Sequence, residues 1–184
     1  MQTRMAAVDA QFYWMSAKIP NDEFLLYAFD GVPTDFECAV DEVRDRAQAC
    51  PALAVRVDDG SPLTYPHWVP TAREPARVLR HQLDDDSWRG SLDAVVRLVD
   101  DQLDIRRAPW RLHLFAPVHG LPGGTGAGTV AVLQAPHALA DGRRGAGRLA
   151  FRPDGAGARC GRVAAGLAAL ARRRRRPDSS QAGA

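Results

Sequence analysis

The stretch QAPHALADG, residues 134–142, places His137 directly behind an apolar run and four positions ahead of an Asp141-Gly142 pair. Imidazole has an unperturbed pKa of about 6.5, so it can take and return a proton near neutral pH. A histidine emerging where a strand ends is a candidate general base; the same residue packed inward is a satisfied core histidine. The residues alone leave both readings open. The other histidines, His67, His81, His113 and His119, form no HxH or HExxH pattern, so no metal centre is expected. No GxSxG nucleophile elbow occurs. The three cysteines, Cys38, Cys50 and Cys160, show no CxxC spacing, indicate neither a zinc site nor a disulfide framework, and read as buried or incidental thiols. In the glycine-rich segment GLPGGTGAG (120–128), Gly124, Gly126 and Gly128 alternate, but the segment joins two strands and carries no lysine. It reads as a hairpin connection, not a phosphate cradle.

The elements that would position His137 follow from periodicity. AAVDAQFYWMSA (6–17) has helical spacing and is expected to pack Phe12, Tyr13 and Trp14 into the core. EFLLYAFDG (23–31) is apolar on both faces and predicts a strand buried on both sides, closed by a turn at Asp30-Gly31. A helix over 34–49 should start from a Thr34 cap with Glu37 at capping-box spacing, and should bury Phe36, Ala39, Val40, Val43 and Ala47. PALAVRVDDG (51–60) reads as a strand, and residues 60–90 as an irregular stretch anchored by Tyr65, Trp68 and Trp88. A second amphipathic helix is expected from Ser91, then strands in WRLHLFAPV (110–118) and TVAVLQA (129–135). This order implies an α/β (α+β) fold: a mixed sheet with flanking helices.

Composition bounds the setting. With 184 residues, 46% hydrophobic and 25% charged, the chain can build one ordinary core. No apolar run has the length of a signal peptide or of a membrane span, so a cytoplasmic protein, peripheral to a membrane at most, is expected. Residues 151–184 hold eight arginines against Asp154 and Asp178, a balance of +6, which leaves −4 on residues 1–150 of a chain whose total is +2. An acidic body carries a basic tail.

The segment PHALADG (136–142) resembles the HHxxxDG signature of the CoA-dependent acyltransferase fold, shared by chloramphenicol acetyltransferase and peptide-synthetase condensation domains. AVDAQFYWM, FLLYAFDG, QLDIRRAPWRLHLF, GLPGG and HALADG occur in the order seen in the bacterial wax ester synthase/diacylglycerol acyltransferase family. The resemblance covers residues 6 to about 146. It implies the N-terminal half of a two-domain, chloramphenicol acetyltransferase-like fold. It also implies transfer of a fatty acyl group from acyl-CoA, as co-substrate, to diacylglycerol or a long-chain alcohol, giving triacylglycerol or wax ester. By the same resemblance His137 is the base, Asp141 a structural anchor pairing with an arginine, and Gly142 the position where the backbone turns tightly. The resemblance implies no bound cofactor and no nucleic acid, and it implies a peripheral membrane or lipid-droplet surface as a partner. Two departures stand out: Pro136 replaces the first histidine of the signature, and Ala108-Pro109-Trp110 replaces a Pro-Leu-Trp segment.

The pattern stops near Gly145, and residues 151–184 are nearly all Ala, Gly and Arg. The organisation expected is therefore an incomplete acyltransferase domain over 1–150 and a disordered or out-of-frame tail over 151–184, the product of a truncated or frameshifted gene. The alternative to an enzyme is a catalytically silent fragment, at most a lipid-surface binding module working through the RRRRR run at 172–176.

Overall fold

The computed structural model describes residues 2–48, 53–60, 64–71 and 77–140. In chain order they form β1 (Thr3–Arg4), α1 (Ala7–Ser16), β2 (Asp22–Asp30), α2 (Phe36–Gln48), β3 (Val55–Asp58) and β4 (His67–Pro70). There follow β5 (Arg77–His81), α3 (Trp88–Val96) with a 3-10 turn at Arg97–Asp100, β6 (Arg111–Val118), β7 (Gly128–Pro136) and α4 (His137–Ala140). Asp141, Gly142 and the basic segment 151–184 lie outside the described residues.

β6 and β7 are apolar almost throughout because they are the inner strands of a four-stranded sheet ordered β2-β7-β6-β5. β5 runs parallel to β6, and the other pairs are antiparallel. Both faces are covered. Leu112, Leu114, Ala131 and Ala135 pack under Val40 and Ala47 of α2. On the other face Phe115, Val130 and Val132 meet Trp88, Val95 and Leu98 of α3 and its 3-10 turn. A small antiparallel sheet, β1-β4-β3, packs with α1 and α4 around Met5, Ala10, Val57, Ile105 and Ala138.

The mixed sheet with flanking helices is as expected, and several details correct the sequence reading. β2 is an edge strand, not one buried on both sides: Leu26, Ala28 and Asp30 are exposed. Its apolar run is real, but only one flank has a partner strand. The α2 cap is Asp35, not Thr34; its carboxylate accepts from the Cys38 backbone N–H at 2.9 Å. The Phe36–Ala47 stripe does face the core. α3 starts three residues before Ser91, because Ser87 accepts the Gly90 N–H at 3.0 Å. Gly90 is needed there: a Cβ would stand 2.2 Å from the Asp85 carbonyl oxygen, which is backbone and cannot give way.

Residues 60–90, expected to be irregular, contain β4 and β5. Of the three α1 aromatics, Phe12 and Tyr13 pack inward while Trp14 stays 52% exposed and meets Tyr65 edge-on. Consecutive helix residues turn about 100° each, so three in a row cannot share one face. Cys38 is disulfide-bonded, which corrects its reading as an incidental thiol. The 120–128 segment is the hairpin expected, with Gly120 and Gly123 at positive φ (73° and 74°).

Candidate active site

His137 stands where β7 ends and α4 begins, the position its sequence context suggested. Three elements fix it. Its backbone N–H donates to the Asn21 carbonyl at 3.3 Å, just before β2. Its ring packs edge-on against Phe12 of α1, with centroids 3.9 Å apart. Its Nδ1 pairs with the Glu23 carboxylate of β2. Asn21 closes the cage by donating its side-chain N–H to the Phe12 carbonyl at 2.9 Å. Both His137 and Glu23 remain about one-third exposed, at 31% and 33%. Solvent or a substrate can therefore reach the ring.

The other nitrogen, Nε2, has no hydrogen-bond partner among the described residues. In the neutral imidazole one nitrogen donates and the other accepts. With a carboxylate beside Nδ1, the proton belongs on Nδ1 and the lone pair on Nε2. That is the state a general base requires. Asp141 and Gly142, the other residues of the motif, lie outside the described residues. Among the described residues no group of His, Cys, Asp and Glu could hold a metal ion.

β2 delivers a second carboxylate to a different place. Successive strand residues project to opposite faces, so Asp22 enters the α3 side while Glu23 meets His137. There Gln134, fully buried, donates through its amide nitrogen to Asp22 Oδ2 at 2.7 Å and to the Asp101 carbonyl at 2.8 Å. Its oxygen then faces His113 Nε2 at 2.9 Å and must accept, so His113 carries its proton on Nε2. His113 Nδ1 in turn accepts from His81 Nε2, also at 2.9 Å. Arg111 completes the cluster through an ion pair with Asp101. Sequence reasoning missed this network, since only the strand register brings residues 22, 81, 113 and 134 together.

Burial pushes the His113 imidazole below its ordinary range, against the opposing effect of the Gln134 bond. His81 is lowered too, by burial and by the Arg111 charge. Burial raises Asp22, partly offset by the Leu103 N–H, the Gln134 amide and Arg111. The signs differ. A histidine depressed below about 6.5 contributes stability above that pH and loses it as pH falls toward its folded value. A raised Asp does the reverse, losing stability as pH climbs through its folded value. From about pH 6.5 downward the histidines act first. The urea midpoint should fall on acidification through that window, and His81→Gln should flatten the slope. A midpoint that rises as the pH drops would contradict the linkage.

A cavity of about 410 Å³ opens elsewhere, lined by His81, Leu83, Asp85, Asp93, Arg97 and Phe115 beside α3. His137 is not among its walls.

No known family's sequence profile matches the chain, and no curated protein sequence does. Solved structures do. The tallysomycin biosynthesis protein TlmII superposes with a TM-score of 0.56 at 16% identity, covering 74% of this chain and 33% of that one. The starter condensation domain of rhizomide synthetase RzmA gives 0.56 at 11% identity, covering 82% and 37%. The first condensation domain of the calcium-dependent antibiotic synthetase gives 0.54 at 15%, covering 74% and 33%. The fold is part of the condensation-domain fold. This chain thus spans about a third of the length of these proteins. One rhizomide synthetase structure is a complex with C8-CoA and Leu-SNAC, matched at 12% identity and a TM-score of 0.54, over 82% of this chain and 34% of that one. Among the described residues, no helix is long and apolar enough to cross a membrane.

Proposed function

We propose that the protein is an O-acyltransferase that moves a fatty acyl group from acyl-CoA to an alcohol, with His137 as general base. The observation that carries this reading is His137 itself: its backbone tied to Asn21, its ring packed on Phe12, paired at Nδ1, and unpartnered at Nε2 among the described residues. The fold supports acyl transfer as the reaction class, and a neighbour that binds C8-CoA supports an acyl thioester as donor. The ordered sequence segments support diacylglycerol or a long-chain alcohol as acceptor.

The chemistry needs little beyond a placed base. A thioester is already activated, and its thiolate leaves readily because a thiol's pKa is about 8.5. An alcohol, by contrast, is almost wholly protonated at neutral pH. Nε2 takes the hydroxyl proton as the oxygen attacks the thioester carbonyl. The tetrahedral adduct collapses, the C–S bond breaks, and the thiolate recovers the proton from Nε2. The products are an ester and free CoA, and the histidine returns to its starting state. No acyl-enzyme is required, in keeping with the absence of a nucleophile elbow from the sequence.

The acceptor class is the testable part. With octanoyl-CoA as donor, thiol release should be accelerated by hexadecanol or a diacylglycerol and not by aminoacyl thioesters at equal concentration. Preference for the amine acceptors would replace ester formation with amide formation as the function.

A further inference from the structure

Glu23 belongs to no recognised motif, yet it makes the one polar contact to the His137 ring among the described residues. Its place is set by register: β2 and β7 pair antiparallel, with Glu23 opposite Ala135 and Asp22 opposite Pro136. The carboxylate therefore comes from the neighbouring strand, two positions short of His137 and on a rigid ladder. Phe12 and the Asn21 carbonyl hold the rest of the residue, so the ring has little freedom to leave it.

We propose that Glu23 is the positioning residue for His137: it accepts the Nδ1–H, keeps the lone pair on Nε2, and balances the charge of the imidazolium that forms when Nε2 takes a proton. The inference rests on the reading of His137 as base. The pair is not needed to hold the fold together. Both side chains are a third exposed, and ion pairs that water reaches contribute little to stability. A functional cost on removing Glu23 thus separates from a structural one. The logic is that of a carboxylate holding a catalytic imidazole in the right tautomer, where losing the orienting charge lowers turnover.

The test uses the 184-residue chain with 15N-labelled histidine. His137→Ala identifies the His137 ring signals by difference. In the wild type the ring should be protonated on Nδ1. Glu23→Leu should shift it toward the Nε2–H form that free imidazole side chains favour. Glu23→Gln should keep the Nδ1–H form, since the amide oxygen still accepts, while removing the charge. In acyl transfer, Glu23→Leu should lower kcat about tenfold to a hundredfold, part of the hundred to ten-thousandfold a base contributes. Glu23→Gln should fall between, and KM should stay near the wild-type value in both. An unchanged tautomer in Glu23→Leu overturns the proposal, as does a shifted tautomer with unchanged kcat. Full activity in His137→Ala would instead defeat the base reading, and the ring spectra would still report whether Glu23 orients the histidine.

Discussion

His137→Ala should lower kcat for ester formation by about a hundred to ten-thousandfold, the range that a positioned general base supplies. KM for acyl-CoA should change little, because the imidazole acts on the acceptor hydroxyl and not on the donor's binding. The substitution should leave the fold intact. The side chain is 31% exposed, and its one polar partner among the described residues is Glu23, itself a third exposed. Thermal melts of the two proteins should accordingly differ by no more than about 1 kcal/mol in stability. A mutant that keeps its rate would remove His137 from the chemistry. A mutant that unfolds would restore the reading of a satisfied core histidine.

The second large effect lies in the buried network. Gln134→Leu should destabilise the chain by about 3 kcal/mol or more, since a buried donor or acceptor left unmade costs about 1–3 kcal/mol and charged groups cost more. Leucine has similar bulk, so no cavity explains the loss. What goes is the amide that satisfies His113 Nε2, Asp22 Oδ2 and the Asp101 carbonyl together. Asp22 already has one buried oxygen without a partner among the described residues, so it can hardly absorb a further loss. Thr125→Ala is the control: it removes the exposed Oγ1–H bond to Asp30 while keeping the backbone N–H bond to the same carboxylate, and should shift stability by less than about 0.5 kcal/mol. Urea denaturation of the three proteins decides it. Near-equal midpoints for Gln134→Leu and wild type would mean the network contributes nothing net.

How far the sequence alone reached depends on what each element relies on. β6 and β7 were legible because inner strands covered on both faces need apolar residues at nearly every position, and LHLFA and VAVLQA supply them. The α2 stripe was legible for the same reason at helical period. β4 and β5 were not: HWVP and RVLRH are short, and their pattern is broken by Pro70 and by Arg77 and Arg80. An edge strand such as β5 tolerates arginine because Arg80 can lie over the Phe36 ring. β2 misled in the opposite direction, its apolar residues exceeding what an edge strand buries. For the site, His137 was legible from the motif and its strand-end position. Glu23, Asn21 and Phe12 were not, because contacts across 114, 116 and 125 residues depend on register and helix placement that no local pattern encodes.

Direct acyl transfer driven by His137 is tested most closely by a single-turnover reaction. Excess wild-type protein is mixed with octanoyl-CoA and hexadecanol, and ester, free CoA and intact protein mass are followed together. Ester and CoA should appear in equal amounts at the same rate, with no acylated protein at any time and neither product above background with His137→Ala. CoA released ahead of ester with a matching mass increase on the protein, or ester formed at an unchanged rate by His137→Ala, would contradict it.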